Sequence, residues 1–197
     1  MHRLDSSKRD VGNVWRTFAL DKKVYYTTNK GLYRITDSNV TRWQPETDNF
    51  LFTYLVNDTI YLQELGIGLM RLNGNDLEVV SSNQIFKKER IYAMFPYYND
   101  KMLIVTNKKG IFIYNPSAPD QITKTTKFEQ LSQYLSQNFP YRGISLDSSH
   151  FAIATRKGGL VIADKSGNIE NIVDKKDGLL ADNVKYVFED NRENLHL

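Results

Sequence analysis

The chain has 197 residues, 41% of them hydrophobic and 25% charged, with a formal net charge of +3. That much apolar material supports a sizeable core in one or two domains, while so small a charge excess does not by itself mark a nucleic-acid binder, which needs a clustered basic face. Cysteine is absent, which excludes a disulfide framework and a cysteine-based zinc site.

Twelve Tyr, ten Phe and two Trp, with many Val, Ile and Thr, lean toward β structure. No run of about 18 apolar residues is present to span a membrane. The opening MHRLDSSKRDVGNVW lacks the apolar core of a signal peptide.

In chain order, NVWRTFAL (Asn13–Leu20) reads as a first strand. VYYTTNKGLYRI from Val24 follows as a strand, a polar turn, a glycine and a strand, and then NVTRWQ (Asn39–Gln44) as a fourth strand. The same order recurs in FLFTYLV, IYLQELGIGLMRL from Ile60 and DLEVVSS. It recurs again in IYAMFPY, MLIVTNKKGIFIY from Met102 and ITKTTKF, and in YRGISLD, FAIATRKGGLVIA from Phe151 and IENIVD. The turns after the first strands, LDKK, VNDT, YNDK and LDSS, hold residues that tolerate left-handed backbone or bond to nearby amides. Between the third and fourth copies, Phe128, Leu131, Leu135 and Phe139 fall near helical spacing, so 128–139 is expected to be a short inserted helix.

The aligned glycines Gly31, Gly68, Gly110 and Gly159 are 37, 42 and 49 residues apart, the last gap lengthened by the helix. Four-stranded units recurring at about 40 residues are the mark of a β-propeller. A single such unit is apolar on both faces and buries both only by stacking against neighbours. The expected fold is therefore all-β, a propeller of four four-stranded blades near 13–48, 49–89, 90–127 and 140–176. The start of a fifth follows at 177–197, with Val184–Phe188 as its first strand.

The closing stretch carries a more specific pattern. DGLLADNV (Asp177–Val184) and FEDNRENL (Phe188–Leu195) resemble the two-component regulator propeller repeat, with Asn183, Val184, Glu189, Asp190 and Asn194 at its marked positions. His196 stands where that repeat usually has Trp, and Glu193 where it has Gly. The resemblance implies the extracytoplasmic input region of a hybrid two-component sensor, hence a periplasmic location. It implies a ligand that is a small molecule or an oligosaccharide from polysaccharide breakdown. It also implies a membrane-anchored, dimeric parent whose histidine kinase lies in a region absent here. Such propellers usually have seven blades, so the chain is expected to be an incomplete piece of a larger ring.

In a propeller, the loops from second to third strand and the links between blades share one face around the channel, and concave mouths favour ligands. Here three of the four second-to-third loops are basic: Lys30; Lys108 and Lys109; Arg156 and Lys157. Such a rim suits an acidic ligand, for example a uronic-acid or sulfated sugar, although lysine and arginine in turns also serve solubility and protect edges. Trp43 and Arg142 complete the candidate ligand-binding set. Trp15, Tyr97, Tyr98 and Tyr141 lie nearby in the repeat, where packing between blades is the competing role. No catalytic residue, metal ligand or cofactor is expected. His2, His150 and His196 are scattered, and Asp147–His150 (DSSH) reads as a hairpin turn. A protein-interaction scaffold and a polysaccharide-acting propeller enzyme are the alternatives to a sensor.

Overall fold

The computed structural model describes residues 11–36, 39–47, 49–81, 83–119, 121–190, 192 and 194–197. The expected turn at Asp37 and Ser38 and the Glu193 departure lie outside them. The chain divides into two compact units, Met1–Lys88 and Glu89–Leu197.

Among its described residues the first unit holds two four-stranded antiparallel sheets. One is β1 (Val14–Leu20), β2 (Lys23–Thr28), β3 (Gly31–Ile35) and β4 (Val40–Trp43). The other is β5 (Phe50–Val56), β6 (Thr59–Glu64), β7 (Gly68–Asn73) and β8 (Asp76–Ser81). Each is a meander in chain order, and we call each a blade. The β1–β2 and β5–β6 turns hold Asp21, Lys22, Asn57 and Asp58 at positive φ. That is the backbone twist a two-residue hairpin requires, and Asn and Asp supply it at low cost. The second strands are buried along most of their length, β2 from Tyr25 to Thr28 and β6 from Ile60 to Glu64, because both of their faces are covered there. Tyr25, Leu32, Trp43, Phe50, Ile60, Leu62 and Met70 form the core of this unit.

A short helix follows, α1 (Gln84–Lys88), which the repeat pattern does not anticipate. Phe86 is its buried residue. Its carbonyl accepts the Gln63 Nε2–H at 2.8 Å, and the Lys87 carbonyl accepts the Gly66 N–H at 2.9 Å. The link out of the second blade thus folds back onto that blade's own second-to-third loop.

The second unit contains a third blade of β9 (Ile91–Pro96), β10 (Met102–Thr106), β11 (Ile111–Tyr114) and β12 (Ile122–Lys124). The fourth comprises β13 (Pro140–Ser145), β14 (His150–Thr155), β15 (Leu160–Asp164) and β16 (Ile169–Val173). Between them a 3-10 turn (Thr126–Phe128) leads into α2 (Glu129–Asn138), the expected insertion. Phe128, Leu131 and Leu135 enter a core with Phe95, Leu103, Phe151 and Val161, in which the Phe95 and Phe151 rings stack at 4.5 Å. Gly143 makes room for that stack, since a Cβ there would meet the Phe95 ring and Ala93. Phe139 departs from the expected helical spacing. It leaves the helix at φ 58°, ψ 91°, because the following Pro140 disfavours helical backbone at the preceding residue.

The closing stretch needs a correction. Val184–Phe188 was expected as a strand, yet only Phe188 of it pairs, in β17 (Phe188–Glu189) against β18 (Leu195–His196). Val184 and Val187 instead pack on Ala152, Ala154 and Leu160 of the fourth blade, and the Val184 N–H donates to the Thr155 carbonyl at 2.9 Å.

The repeated glycine has a double cause. Gly31 and Gly159 sit at φ 148° and 74°, and a Cβ on either would overlap the carbonyl oxygen ending the neighbouring fourth strand, Trp43 O and Val173 O respectively.

Candidate functional site

Register places the site. In the fourth blade Pro140 opposes Thr155 and Leu160 opposes Val173. The start of β13, the β14–β15 loop and the end of β16 therefore lie at one end of the strands, and the β13–β14 turn lies at the other. A threonine closes the loop: Thr155 Oγ1 accepts the Gly158 N–H at 3.0 Å and donates to the Gly159 carbonyl at 2.8 Å. Thr106 and Thr28 donate in the same way to Gly110 and Gly31 at 2.7 and 3.4 Å. The second blade has Glu64 in this place. It is fully buried, its Oε1 accepts both the backbone N–H and the hydroxyl of Thr47 at 2.5 and 2.8 Å, and its Oε2 has no hydrogen-bond partner among the described residues.

Each first strand carries an irregularity at this same end. Val14 opposes Thr28 but Arg16 opposes Thr27, leaving Trp15 extra. In β5 the residues between Phe50 and Thr53, Leu51 and Phe52, face one residue of β6. Tyr92 is extra in β9 and Tyr141 in β13. Such a bulge bends the strand and re-aims a side chain, and in every blade an aromatic occupies it.

Three cations of the fourth blade rest on aromatic rings at that end. Arg156 lies 5.2 Å from the Tyr141 centroid, Lys157 4.9 Å from Phe139, and Arg142 4.6 Å from Tyr186 on the link leaving the blade. Phe139 and Tyr186 are 38% and 50% exposed, so these rings face solvent rather than core. α2 supports the rim from below. The Tyr134 hydroxyl donates to the Gly158 carbonyl at 2.5 Å, and the Arg156 N–H bridges the Asn138 and Phe139 carbonyls at 3.0 Å each. Burial, then the charges of Asp174 and Asp182, raise the Tyr134 pKa above its ordinary value and keep that hydroxyl a donor. The carboxylates of the link are used on backbone: Asp182 accepts the Lys175 N–H, Asp174 the Lys176 N–H, and Asp177 the Asp174 N–H.

The predicted residues therefore separate. Arg142, Arg156 and Lys157 converge on one rim. Lys108 and Lys109 are exposed on the equivalent loop of the third blade, next to which α2 runs, Ser132 Oγ lying 3.3 Å from where a Cβ of Gly110 would sit. Lys30 and Trp43 belong to the first unit. Lys30 is half-buried, and its carbonyl accepts from Arg42 at 3.0 Å. Trp43 is buried, with Nε1–H donating to the Asn75 carbonyl at 2.6 Å and the Arg34 guanidinium 5.2 Å from its ring, so it serves packing. Phe139 and Tyr186 were not anticipated. An open cleft of about 440 Å³ in the first unit, lined by Tyr25, Arg34, Asp58, Ile60 and Leu72 among others, lies at the opposite strand ends.

His150 is also at that opposite end. Its Nδ1 meets Asp147 Oδ2 at 2.7 Å and its Nε2 meets Glu170 Oε2 at 3.2 Å, and Asp147 Oδ1 accepts the Ser149 and His150 N–H groups, as a hairpin turn requires. The Asp147 hydrogen bond, then the two carboxylate charges, outweigh desolvation and raise the His150 pKa. Among the described residues no cluster of His, Asp and Glu is arranged to hold a metal.

No family model matches the chain, and no curated protein matches it. Solved structures do. The extracellular domain assigned to a hybrid two-component system, BT3049 of B. thetaiotaomicron, superposes over 93% of this chain with TM-score 0.61 at 18% identity. The fold is a β-propeller. The extracellular domain of BT4673 from the same organism matches over 99% at TM-score 0.63 and 18% identity. A virginiamycin B lyase of Staphylococcus aureus matches over 84% at 0.62 and 12% identity. The chain spans about a quarter of the two extracellular domains, 25% and 26%, and 57% of the lyase.

Proposed function

We propose that this chain is part of an extracytoplasmic sensor propeller of the two-component regulator type, and that it takes a small saccharide on the loop-and-link end of its blades. The observation that carries the reading is the rim of the fourth blade, where rings and cations gather on one edge away from the core. Aromatic faces suit the apolar faces of sugar rings, and polar groups around them set orientation. Support for a signalling role comes from the two extracellular domains of similar fold and from the closing repeat Asp177–Leu195. On this reading the parent is membrane-anchored and dimeric, the location is periplasmic, and histidine kinase activity resides elsewhere in the parent.

The lyase of similar fold supports a second reading, a propeller enzyme. Against it, His150 begins β14 beside the β13–β14 turn and His196 lies beside the β17–β18 turn, each engaged by an aspartate of that turn, while the rim lies at the other end of the fourth blade. A thermal-shift screen of the chain against neutral and acidic oligosaccharides tests the sensor. A rise in melting temperature with at least one, without release of new reducing ends, is the expected result. Silence across the panel counts against the sensor, and new reducing ends favour the enzyme.

A further inference from the structure

We infer that the rim of the fourth blade selects saccharides bearing anionic groups, a uronate carboxylate or a sulfate, and that Arg156 and Lys157 are its specificity residues. The inference rests on the sensor reading above and names the ligand class of that same site.

Four arginines elsewhere in the chain donate to protein acceptors. Arg71 pairs with Glu78 at 3.0 Å, Arg34 donates to the Gly74 carbonyl, Thr41 and Asn75, Arg42 donates to the Lys30 carbonyl, and Arg16 to the Thr53 carbonyl. Their donors are committed to protein acceptors. Arg142, Arg156 and Lys157 differ: among the described residues their cationic heads have aromatic rings as partners and no carboxylate. A guanidinium stacked on a ring uses its face and keeps its edge N–H groups available. Those groups form the fork that grips a carboxylate or sulfate through two hydrogen bonds. The ring also limits the motion of the cation, so less freedom is lost on binding. The nearby acids that would compete are held on backbone amides of the link.

Two backbone features add to this. The Tyr141 ring is set by the β13 bulge, and Tyr92 occupies the same position one blade earlier in this unit. Phe139 carries a large, part-exposed side chain on left-handed backbone, a strained conformation that is concentrated at ligand sites. Hydrogen bonds fix it there: its N–H donates to Leu135 O at 2.8 Å, and its carbonyl accepts from Arg156 N–H at 3.0 Å. The platform and the loop bearing the two cations are thus one rigid piece.

The test is calorimetric titration of the full chain at low and at moderate salt with three probes: α-1,4-trigalacturonate, a sulfated galactan trisaccharide and neutral α-1,4-galactotriose. At least one acidic probe should bind at least tenfold tighter than the neutral one, with the advantage shrinking as salt rises. The probe that does so identifies carboxylate or sulfate. Arg156→Gln with Lys157→Gln should remove that advantage, the acidic probe losing several-fold more affinity than the neutral one, and Tyr141→Leu should weaken all binding that occurs. If the neutral trisaccharide binds as tightly as both acidic ones, or the double variant keeps the acidic preference, the inference is overturned and the sensor reading stands. If none of the three binds, both fall. Melting curves of each variant confirm that the fold is intact.

Discussion

Replacing Gly159 by alanine should unfold the second unit far more readily than the same change at Gly178. Both glycines have positive φ, 74° and 105°, so both variants incur the left-handed penalty of about 1 kcal/mol. Nothing lies within 4 Å of a Cβ added at Gly178, whereas at Gly159 it would overlap the Val173 carbonyl. The backbone at Gly159 cannot rotate away. Its N–H donates to Asp182 O at 2.9 Å, and its carbonyl accepts from both the N–H and the hydroxyl of Thr155 at 2.9 and 2.8 Å. Relief must come from displacing the end of β16, which breaks the Leu160–Val173 pairing and the anchoring of the link, at about 1 kcal/mol per hydrogen bond. The expected cost is about 3 kcal/mol for Gly159→Ala against about 1 for Gly178→Ala. For a chain of this size that corresponds to a melting temperature lower by roughly 6–12 °C against roughly 2–4 °C. Urea unfolding followed by circular dichroism measures the difference, and hydrogen exchange localises it to β15 and β16. If the two variants agree within about 0.5 kcal/mol, close approach of the fourth strand is not why this glycine recurs.

Four further outcomes follow from particular groups. Glu64→Ala should cost about 1–3 kcal/mol because it removes the carboxylate acceptor of the Thr47 N–H and hydroxyl; Glu64→Gln keeps an acceptor and should cost clearly less, and equal losses in urea titration would refute the pairing. Leu131→Ala, at a fully buried position of α2, should cost about 2–5 kcal/mol and lower the melting temperature of the second unit. Phe139→Gly should melt at or above the wild type, since it relieves left-handed strain at a half-exposed site, while weakening any saccharide binding; a large loss of stability would show that the ring is core. For His150 the folded pKa is raised above the ordinary 6.5, so its stabilisation is fully present below about pH 6.5 and is lost as pH rises through the folded value. Asp147, lowered by the same hydrogen bond, contributes above its ordinary pKa and loses its contribution as pH falls through the depressed value. Proton NMR titration of the imidazole, and the flattening of the neutral-range stability profile in His150→Gln, check both the shift and its sign.

The parts of the fold legible in the sequence are those where backbone geometry demands a residue type. Asn57–Asp58 and Asn99–Asp100 announce hairpins because their φ is positive, and the recurring glycine announces a positive φ where the third strand begins. α1 escaped because five residues with one buried side chain give no period to read; the signal present was Asn83, whose Oδ1 accepts the Ile85 N–H at 2.9 Å and starts the helix. Val184–Phe188 looked like a strand from its composition. Its two buried residues, Val184 and Val187, are three apart, which is not the period of a strand, and that spacing fits a link laid across a neighbouring blade.

The site was legible only as chemistry. The basic loops were visible, and so were Trp15 and Tyr141 in their first strands, while Phe52 and Tyr92 went unremarked because their distances to the aligned glycines are not constant. What could not be read is that these aromatics are the extra residues of bulges. A bulge is a difference in residue count between two paired strands, fixed only once the turn joining them has set the register. Without the register an aromatic at the start of an inner strand is indistinguishable from one that packs between blades, which is the role Trp43 proves to have. With it, Tyr141 stands out of the ladder beside the loop whose cations rest on aromatic rings. Phe139 and Tyr186 then join it from an inserted helix end and an inter-blade link, segments that share no repeat position and come to one rim only through the blade between them.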